Sequence, residues 1–572
     1  MLINIFFRNI WDKTKLVFAG KKDVSQTKLL MCVSVFLLAT ANALFFQKLF
    51  SAYELSISNI LPLLSLLSFV LLLIFVVLML LCIGRSTKTV LAIILLVSSF
   101  VTYFGNVYDV VISGQMIRNA LYADYDEAID LITVNMFVSV LVLGVMPSIL
   151  VWKVRISKVS FIKGVLTKCK NILCAILVMA VLLVPFEKFY ASFIREHKNI
   201  RVYVSPVYWI YSAGKVVVES LRDTPDSIEV VGKDAKIIHK NREKKKIVIM
   251  VVGEALRADK LPFNGYHRNT MPLTSKEEVL NFSNMYSCGT ATQVSVPCMF
   301  SVFDRKDYSN TKVMYTENTL DVLSHTGAIE ILWRDNNSSS SGVADRVKYE
   351  TIRNEGWKKK HQVDCRDEDK IGRYKKKNDK KYSECRDDLM LVGLDDYVSK
   401  NKRKDIFIVL HQLGSHGPAY YKRYPRKFEK FKPVCKTSML NECTDEEINN
   451  AYDNTVLYTD YFLSETIGFL KKYDKSHDVA MLYMSDHGES LGEGGLYLHG
   501  IPYFMAPDAQ KHIASFMWFG DGFKGHINIS KLHSYKSEEF SHDNLPHTIL
   551  GLFDVSTSIY SKEKDILFRS KR

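Results

Sequence analysis

Five apolar runs occupy the first third of this 572-residue chain and constrain its fold more than any other feature. They span residues 28–46, 57–83, 90–104, 132–152 and 172–186. A helix of about 20 apolar residues crosses the hydrocarbon core of a bilayer, and a single segment inside lipid satisfies its backbone groups only as a helix. The sequence therefore predicts an α-helical transmembrane domain of five helices.

Lysines and arginines between these runs indicate how the helices are oriented. They are concentrated in the segment 1–22, in the turn at Arg85 and Lys88, and in the loop 153–170. Because basic residues accumulate on the cytoplasmic side, a cytoplasmic amino terminus places all three segments there and everything after residue 190 outside. The formal net charge of +14 fits this topology and lipid contact. No nucleic-acid recognition motif accompanies the charge, and no nucleic-acid partner is expected.

Six cysteines downstream of the apolar runs test this placement independently. They form three close pairs along the chain, Cys288 and Cys298, Cys365 and Cys385, and Cys435 and Cys443. An even number of cysteines in an oxidising compartment indicates disulfides, whereas a zinc site would show CxxC spacings that these pairs lack. We therefore predict three local disulfides in an outer domain.

Composition changes divide the chain into three predicted regions. Residues 1–190 form the transmembrane domain, residues 191–246 a linker, and residues 247–572 the outer domain. The linker contains "RVYVSPVYWIYSAGKVVVESLR", whose mixture of aromatic and basic residues favours an interfacial helix. A helix packed on the outer domain is the alternative.

From residue 247 onward, short apolar runs alternate with helical stretches. The runs are "IVIMVV", "AIEILW", "DIFIVL", "VAMLYM" and "ASFMWF". Continuous apolar strands separated by helices predict an α/β domain with a mostly parallel central sheet and helices on both faces. Ligands of such sheets bind beyond the carboxyl ends of the strands.

Carboxylates and imidazoles follow several of these strands. Glu254 follows "IVIMVVG", Asp486 and His487 follow "VAMLYMS", and His411 and His416 lie in and after "DIFIVLHQLGS". One such residue alone is typical of an ordinary turn, but their convergence at several strand ends predicts a metal site. Glu254, Asp486 and His487 supply two oxygens and one nitrogen, a set suited to Zn²⁺ or Mn²⁺.

The stretch "SCGTATQVSVPC", residues 287–298, places hydroxyl groups between two cysteines. A hydroxyl beside a bound cation loses its proton easily. The sequence "TATQVSVPCMFSVF" predicts a helix whose free N–H groups face an anion. The loop is therefore expected to carry a nucleophile for phosphorus, and chemistry alone does not choose among Thr290, Thr292 and Ser295.

Longer motifs carry a resemblance to a known family. They are "VVGEALRADKLPFNGYHRNTMP", "SCGTATQVSVPCMFS", "HQLGSHGPAYYKRYP", "SDHGESLGEGGLYLHGIPY" and "SHDNLPHTILGLFDV". Together they resemble the membrane-bound phosphoethanolamine transferases, most closely the group that acts on lipid A and includes the mobile colistin-resistance enzymes. The resemblance spans the whole chain. It implies five transmembrane helices, a periplasmic linker and an alkaline-phosphatase/sulfatase-like periplasmic domain.

The resemblance also implies a catalytic centre. Thr292 matches the second threonine of the family's SCGTxT sequence and would be the nucleophile. With Glu254, Asp486 and His487, it would bind one firmly held Zn²⁺, and a second zinc ion is left open.

Substrate contacts follow from the same resemblance. The family's substrate-side histidines match His416 in "GSHGP" and His499 in "YLHG". Its headgroup-contacting asparagine and glutamate match Asn119 and Glu127 in "MIRNALYADYDEA", and its polar loop serine matches Ser338.

Two departures from the family pattern stand out. Close relatives in the colistin-resistance group carry a lysine just before the glycine of the "DNN" loop, where this chain has Ser341. A cation for a substrate phosphate is therefore missing there or supplied elsewhere. The basic insert "RDEDKIGRYKKKNDKKYSE" favours contact with anionic lipid phosphates, with a solvated loop as the alternative.

The activity implied by the resemblance is a two-step transfer. Phosphatidylethanolamine would donate phosphoethanolamine to Thr292, and a lipid A phosphate would accept it, which lowers surface charge and confers polymyxin resistance. The protein would be a monomer in the bacterial inner membrane. The main rival is a transferase acting on a core sugar, heptose or Kdo. A sulfatase relative would need a Cys/Ser-x-Pro-x-Arg sequence, and "SVPCM" has the proline but no arginine in register. A transporter would show a central charge cluster or a broken-helix pair, which the apolar runs do not indicate, and the polar residues are concentrated in the outer domain instead.

Overall fold

The computed structural model describes residues 23–122, 131–221, 227–238, 243–363, 365 and 385–571. The chain divides into two compact units. The first unit comprises Met1–Gly114 and Ile132–Val217, and the second comprises Gln115–Leu131 and Val218–Arg572.

Long apolar helices dominate the first part of the chain. The helices up to residue 221 are α1 Gln26–Thr40, α2 Ala43–Ala52, α3 Ile57–Leu81, α4 Thr87–Tyr108, α5 Gly114–Tyr122, α6 Val134–Lys153, α7 Phe161–Leu183, α8 Glu187–Glu196 and α9 Val207–Leu221. Among the described residues, four helices are long and apolar enough to cross a membrane, and the bent pair α1–α2 makes a fifth span. The predicted five-helix transmembrane domain is confirmed. The third and fifth spans are longer than expected, at Gly84–Tyr108 and Phe161–Glu196.

The first span differs from the single helix that was expected, because it bends by 59° between α1 and α2. The bend lies at Asn42, whose buried side chain takes over backbone hydrogen bonds. Its Nδ2 donates to the carbonyl oxygens of Leu37 and Ser205, at 2.9 Å and 2.8 Å, and its Oδ1 accepts from the Ser205 amide at 2.9 Å. An asparagine side chain that bonds the backbone in this way competes with the helical ladder and ends the helix.

A seven-stranded sheet forms the centre of the second unit. Its strands are β1 Lys245–Gly253, β2 Leu280–Asn281, β3 Ile329–Asp335, β4 Lys348–Thr351, β5 Asp405–His411, β6 His477–Ser485 and β7 Ser515–Phe519, in the spatial order β2-β7-β6-β1-β5-β3-β4. Strands β6, β1, β5, β3 and β4 pair in parallel. At one edge, β7 pairs antiparallel with β6, and β2 pairs antiparallel with β7. The mostly parallel sheet is thus confirmed, although the run "ASFMWF" joins it in the opposite direction.

Helices cover both faces of this sheet. The remaining helices are α10 Thr292–Met299, α11 Asn310–Met314, α12 Thr319–His325, α13 Glu355–His361, α14 Leu394–Lys400, α15 Asp445–Lys471, α16 Asp521–His526, α17 Ile529–Ser534 and α18 Leu545–Leu552. Along β1, Val248 and Met250 pack into the core that contains α12 and α18, whereas Ile247 and Ile249 pack into the core that contains α15. Full burial of each such side chain contributes about 1.5–3 kcal/mol, so both layers hold β1 rigidly.

Several two-residue strands lie outside the central sheet. Three pairs are Asp23–Val24 with Arg155–Ile156, Ser490–Leu491 with Tyr497–Leu498, and Val555–Ser556 with Lys236–Ile237. In a small three-stranded sheet, Met285–Tyr286 lies in the middle and pairs with His512–Ile513 on one side and with Phe540–Ser541 on the other. The pairing of Met285–Tyr286 with Phe540–Ser541 brings these two segments together, beside the loop that leads into α10.

Candidate active site

The carboxyl ends of the central parallel strands bring the predicted chemical groups together. Glu254 directly follows β1, and Asp486 and His487 follow β6, which is the parallel neighbour of β1. The metal-ligand set predicted from strand ends therefore lies at one edge of the sheet, as expected for this architecture.

Glu254 is held by an unusual backbone. A Cβ on Gly253 would lie 2.1 Å from Oη of the buried Tyr483, so only glycine fits before Glu254. After it, Ala255 adopts the left-handed region with φ 57°, which costs a residue with a Cβ about 1–2 kcal/mol. Strain of this kind persists where the surrounding structure imposes it and is concentrated at functional sites.

The atoms of Glu254, Asp486 and His487 form a compact donor set. One ligand atom from each of these buried residues lies within 4.8 Å of the others. Nε2 of His487 is 3.4 Å from Oε1 of Glu254 and 3.4 Å from Oδ2 of Asp486. Within the described part of the chain, those two buried carboxylate oxygens have no hydrogen-bond partner. Unpartnered buried oxygens are costly, and a cation between them would remove that cost.

Hydrogen bonds to the other atoms of His487 and Asp486 fix the orientation of the donor set. Nδ1 of His487 lies 2.8 Å from the Gly488 carbonyl oxygen, so it carries the proton and leaves Nε2 as a free lone pair. Oδ1 of Asp486 accepts from the amides of Ala255 and His487, at 3.1 Å and 2.7 Å. Supporting contacts of this kind fix ligand orientation in metal sites.

The charge balance of the site favours a cation. Burial, and next the neighbouring Asp486 carboxylate, raise the pKa of Glu254 above its ordinary value. A divalent ion between two buried carboxylates would reverse that shift, because opposite charge favours the ionised form.

Thr292 stands at the first position of α10 and points at this donor set. Its Oγ1 lies 3.0 Å from Oε2 of Glu254 and 3.3 Å from Nε2 of His487. Of the three hydroxyl residues that chemistry left open, Thr290 instead donates its Oγ1 to the Ile501 carbonyl at 2.6 Å. The buried Oγ of Ser295 has no hydrogen-bond partner in the part of the chain that the structure describes. The structure therefore places Thr292 beside the candidate ligands.

Anchors hold the loop that precedes α10. Sγ of Cys288 is bonded to Sγ of Cys298, ten residues on. The Ser287 carbonyl accepts from Oη of Tyr503 at 2.9 Å, and the Cys288 carbonyl accepts from Nε of Arg305 at 3.1 Å. The other predicted pairs are also joined, Cys365 with Cys385 and Cys435 with Cys443.

A second polar group, built around His499, lies next to the donor set. The ring centroid of His499 is 4.2 Å from that of His487 and 5.7 Å from that of His416. Nδ1 of His499 bonds Oε2 of Glu489 at 2.7 Å, and Oη of Tyr420 donates to Oε1 of Glu489 at 2.6 Å. Burial lowers the pKa of His499, but the Glu489 carboxylate outweighs it and leaves that pKa above the ordinary value.

Glu489 was not identified from the sequence, although it lies in the quoted motif "SDHGES". His487, Glu489 and His499 could also hold an ion by their spacing alone. Because both Glu489 oxygens already have partners, we interpret Glu489 as the residue that orients His499.

The "DNN" loop contributes an amide that the sequence did not single out. Nδ2 of Asn337 donates to Oε2 of Glu254 at 2.8 Å and to the Gln412 carbonyl at 2.9 Å. Ser338, the predicted substrate contact, donates its amide to Oδ1 of Asn337 at 2.7 Å. Ser341 has φ 51° and a buried Oγ without a partner.

The headgroup residues are only partly described. Asn119 lies on α5, and a Cβ on Gly500, the residue after His499, would come within 3.8 Å of its Nδ2. Among the residues that the structure describes, the buried Oδ1 of Asn119 has no hydrogen-bond partner. Glu127 lies outside the described residues, as does the basic insert except for its bordering cysteines.

Similarities to known proteins cover both units. Residues 246–555 match the Sulfatase family, and residues 70–221 match the family described as phosphoethanolamine transferase EptA/EptB. Phosphatidylethanolamine transferase Mcr-2 of Escherichia coli is 40% identical over 534 residues, covering 92% of this chain and 94% of that protein. Mcr-1 of the same species is 39% identical over 541 residues, covering 94% and 96%.

A solved full-length structure is also similar. The integral membrane protein lipooligosaccharide phosphoethanolamine transferase A (EptA) from Neisseria meningitidis gives a TM-score of 0.87 at 31% identity, covering 96% of this chain and 100% of that one. These three similarities each extend over more than nine-tenths of the chain. The chain belongs to the phosphoethanolamine transferase family.

Proposed function

We propose that this protein transfers phosphoethanolamine from phosphatidylethanolamine to a phosphate of lipid A, with Thr292 as the nucleophile. The observation that carries this proposal is the position of the Thr292 hydroxyl, 3.0 Å from Glu254 and 3.3 Å from His487 at the start of a helix. A hydroxyl held there, among unpartnered carboxylate oxygens, is suited to nucleophilic attack on an anionic phosphorus centre.

The residues present fit one zinc ion. Oε1 of Glu254 and Oδ2 of Asp486 have no hydrogen-bond partner among the described residues, and Nε2 of His487 offers a lone pair, so these atoms and Oγ1 of Thr292 would hold it. When bound, zinc would lower the pKa of the threonine hydroxyl and offset negative charge on the phosphoryl oxygens.

In the first step, Oγ of Thr292 attacks the phosphorus of phosphatidylethanolamine. The new bond joins Oγ to phosphorus, the Oγ proton passes to Oε2 of Glu254, the bond from phosphorus to the glycerol oxygen breaks, and diacylglycerol leaves. His499 protonates the departing alkoxide, because the Glu489 carboxylate raises the pKa of its imidazole and so favours the protonated form. His416, whose ring lies 5.7 Å from that of His499, is the alternative acid. Both histidines also remain candidates for a second ion.

In the second step, a phosphate oxygen of lipid A attacks the phosphorus of the phosphoethanolamine-threonine. The bond from Oγ to phosphorus breaks, Oε2 of Glu254 returns a proton to Oγ of Thr292, and His499 takes up the proton that the acceptor phosphate releases. The amino-terminal N–H groups of α10 face the phosphoryl group in both steps and favour its negative charge. The hydroxyl thus serves in turn as nucleophile and leaving group.

Lipid substrates explain the membrane helices. Asn119 lies next to the segment that carries His499, and its Oδ1 has no hydrogen-bond partner among the described residues, which suits an acceptor for an ethanolamine ammonium. Glu127 would add a carboxylate, and Ser338 a hydroxyl beside the "DNN" loop. We place the protein in the bacterial inner membrane with residues after 190 in the periplasm. The domain boundaries at residues 190 and 246 remain predictions.

Phosphoethanolamine on lipid A would lower the negative surface charge that cationic peptides bind, which accounts for the expected polymyxin resistance. A transfer assay tests this proposal and its acceptor. Full-length protein in detergent is incubated with phosphatidylethanolamine and either lipid A or Kdo-containing core lipopolysaccharide, and the products are fragmented by mass spectrometry. We expect one added phosphoethanolamine on a lipid A phosphate and none with Thr292→Ala. Addition to heptose or Kdo alone would contradict the lipid A assignment.

A further inference from the structure

His542 lies in the motif "SHDNLPHTILGLFDV" and has no part in the chemistry described above. Its side chain is fully buried between two segments of the active site. Nδ1 accepts the backbone N–H of Cys288 at 3.2 Å, and Nε2 donates to the backbone carbonyl of Ser485 at 3.0 Å.

Both bonds together require one form of the imidazole. The Ser485 carbonyl only accepts, so Nε2 must carry a hydrogen, and the Cys288 amide only donates, so Nδ1 must keep its lone pair. The neutral ring with its hydrogen on Nε2 meets both conditions. Burial lowers the pKa of His542 to about 4, which keeps the ring neutral near pH 7.

His542 joins the segment that carries the proposed nucleophile to the segment that carries two of the candidate metal ligands. Cys288 belongs to the loop that leads to Thr292 and is bonded to Cys298 near the other end of α10. Ser485 is the last residue of β6 and directly precedes Asp486. Its Oγ also accepts from the Leu256 amide at 2.7 Å and donates to the His487 carbonyl at 2.9 Å.

We infer that His542 is a positioning residue, which sets the distance between the nucleophile Thr292 and the carboxylate and imidazole that follow β6. This inference rests on the proposed function. A single rigid ring fixes both backbones, whereas separate anchors would let the loop and the strand move independently. Misplacement of a reacting group by about 1 Å costs up to about 100-fold in rate. Loss of the contacts made by His542 should therefore lower kcat.

Three variants separate the two bonds. His542→Asn keeps an acceptor near the Nδ1 position, His542→Gln keeps a donor near the Nε2 position, and His542→Ala removes both. His547 provides a matched control, because it is also a buried histidine of the same segment, its pKa is also lowered to about 4, and its Nδ1 accepts the Ser561 amide at 3.2 Å.

The experiment measures steady-state transfer from phosphatidylethanolamine by full-length protein in detergent, together with thermal unfolding. We expect His542→Asn and His542→Gln each to lower kcat by about 10-fold and His542→Ala by about 100-fold, with KM for the donor within about twofold of wild type. We expect His547→Asn to lower the unfolding temperature without lowering kcat.

Two results would overturn the inference. One is a kcat of folded His542→Asn and His542→Gln equal to that of wild type. The other is an equal fall in kcat for His547→Asn, which would assign the effect to general loss of stability. Failure of the proposed function is a separate result, because wild type itself would then transfer no phosphoethanolamine.

Discussion

Oγ1 of Thr292 lies 3.0 Å from Oε2 of Glu254, although 38 residues separate them in the chain. One residue begins a short helix and the other follows the central strand of the sheet. Oε2 also accepts from Asn337, which leaves Oε1 as the unpartnered atom of that carboxylate. The proposed zinc site requires that Oε2 accepts these hydrogen bonds while Oε1 remains available to bind the ion.

Replacing Glu254 tests the donor set. Glu254→Gln keeps the shape and the contacts at one oxygen but removes the charge, so we expect loss of bound zinc and a fall in transfer of more than about 100-fold. Zinc content is measured by elemental analysis of the full-length protein. Asn337→Ala removes a hydrogen bond to Oε2 of Glu254 but leaves the charge of that carboxylate, so we expect a smaller fall in transfer, of about 10- to 100-fold. A Glu254→Gln protein that keeps one zinc per chain would contradict the assignment.

Glu489 should control the pH dependence of turnover. Its carboxylate raises the pKa of His499, so His499 stays protonated, and able to donate, to higher pH than an isolated imidazole. Removing the charge in Glu489→Gln lowers that pKa, and the alkaline limb of the kcat–pH profile moves to lower pH. Tyr420→Phe removes a donor to Glu489 but keeps the charge, and we expect a smaller shift. An unchanged alkaline limb in Glu489→Gln would rule out His499 as the acid.

The Cys288–Cys298 disulfide should matter for rate as well as stability. Closing a loop of this length contributes about 3 kcal/mol to the free energy of unfolding, and the double change to serine also frees the segment that carries Thr292. We expect slower adduct formation on Thr292, measured by intact mass over time. The Cys435–Cys443 bond, which closes a loop of similar length at eight residues' separation, is the matched control. Its removal should lower the unfolding temperature but spare the adduct rate.

Gly253 should tolerate no side chain. In Gly253→Ala the new Cβ would lie 2.1 Å from Oη of the buried Tyr483, and we expect the free energy of unfolding to fall by about 1–3 kcal/mol. Gly468 lies inside α15 with open space around it, so Gly468→Ala should raise that free energy by about 0.5–1 kcal/mol. Thermal unfolding of both full-length variants checks the pair, and equal changes would contradict the packing described at β1.

The sequence predicted features that depend on local pattern and on strand-end geometry. Apolar runs identified the spans and the five main strands, because buried strands and membrane helices need uninterrupted apolar side chains. The strand-end rule brought Glu254, Asp486 and His487 to one edge of the sheet. The choice of Thr292 over Thr290 and Ser295 needed the family resemblance, since all three are hydroxyl residues within one short loop.

Features that depend on hydrogen bonds between residues far apart in the chain were not predicted from the sequence. The bend at Asn42 is stabilised by Ser205, 163 residues away, and His542 acts on Cys288 across 254 residues. Glu489 and Asn337 are ordinary polar residues until their partners are known. The edge strands β2 and β4 are short or polar, so no apolar run marks them.

In the proposed reaction, Thr292 carries phosphoethanolamine between donor and acceptor. The intact mass of full-length protein, measured after incubation with phosphatidylethanolamine in detergent and without an acceptor lipid, tests this role. We predict a gain of one phosphoethanolamine unit that maps to Thr292, is absent in Thr292→Ala and in protein stripped of metal, and disappears when lipid A is added. An adduct on another residue, or turnover of donor and acceptor by Thr292→Ala, would contradict the account.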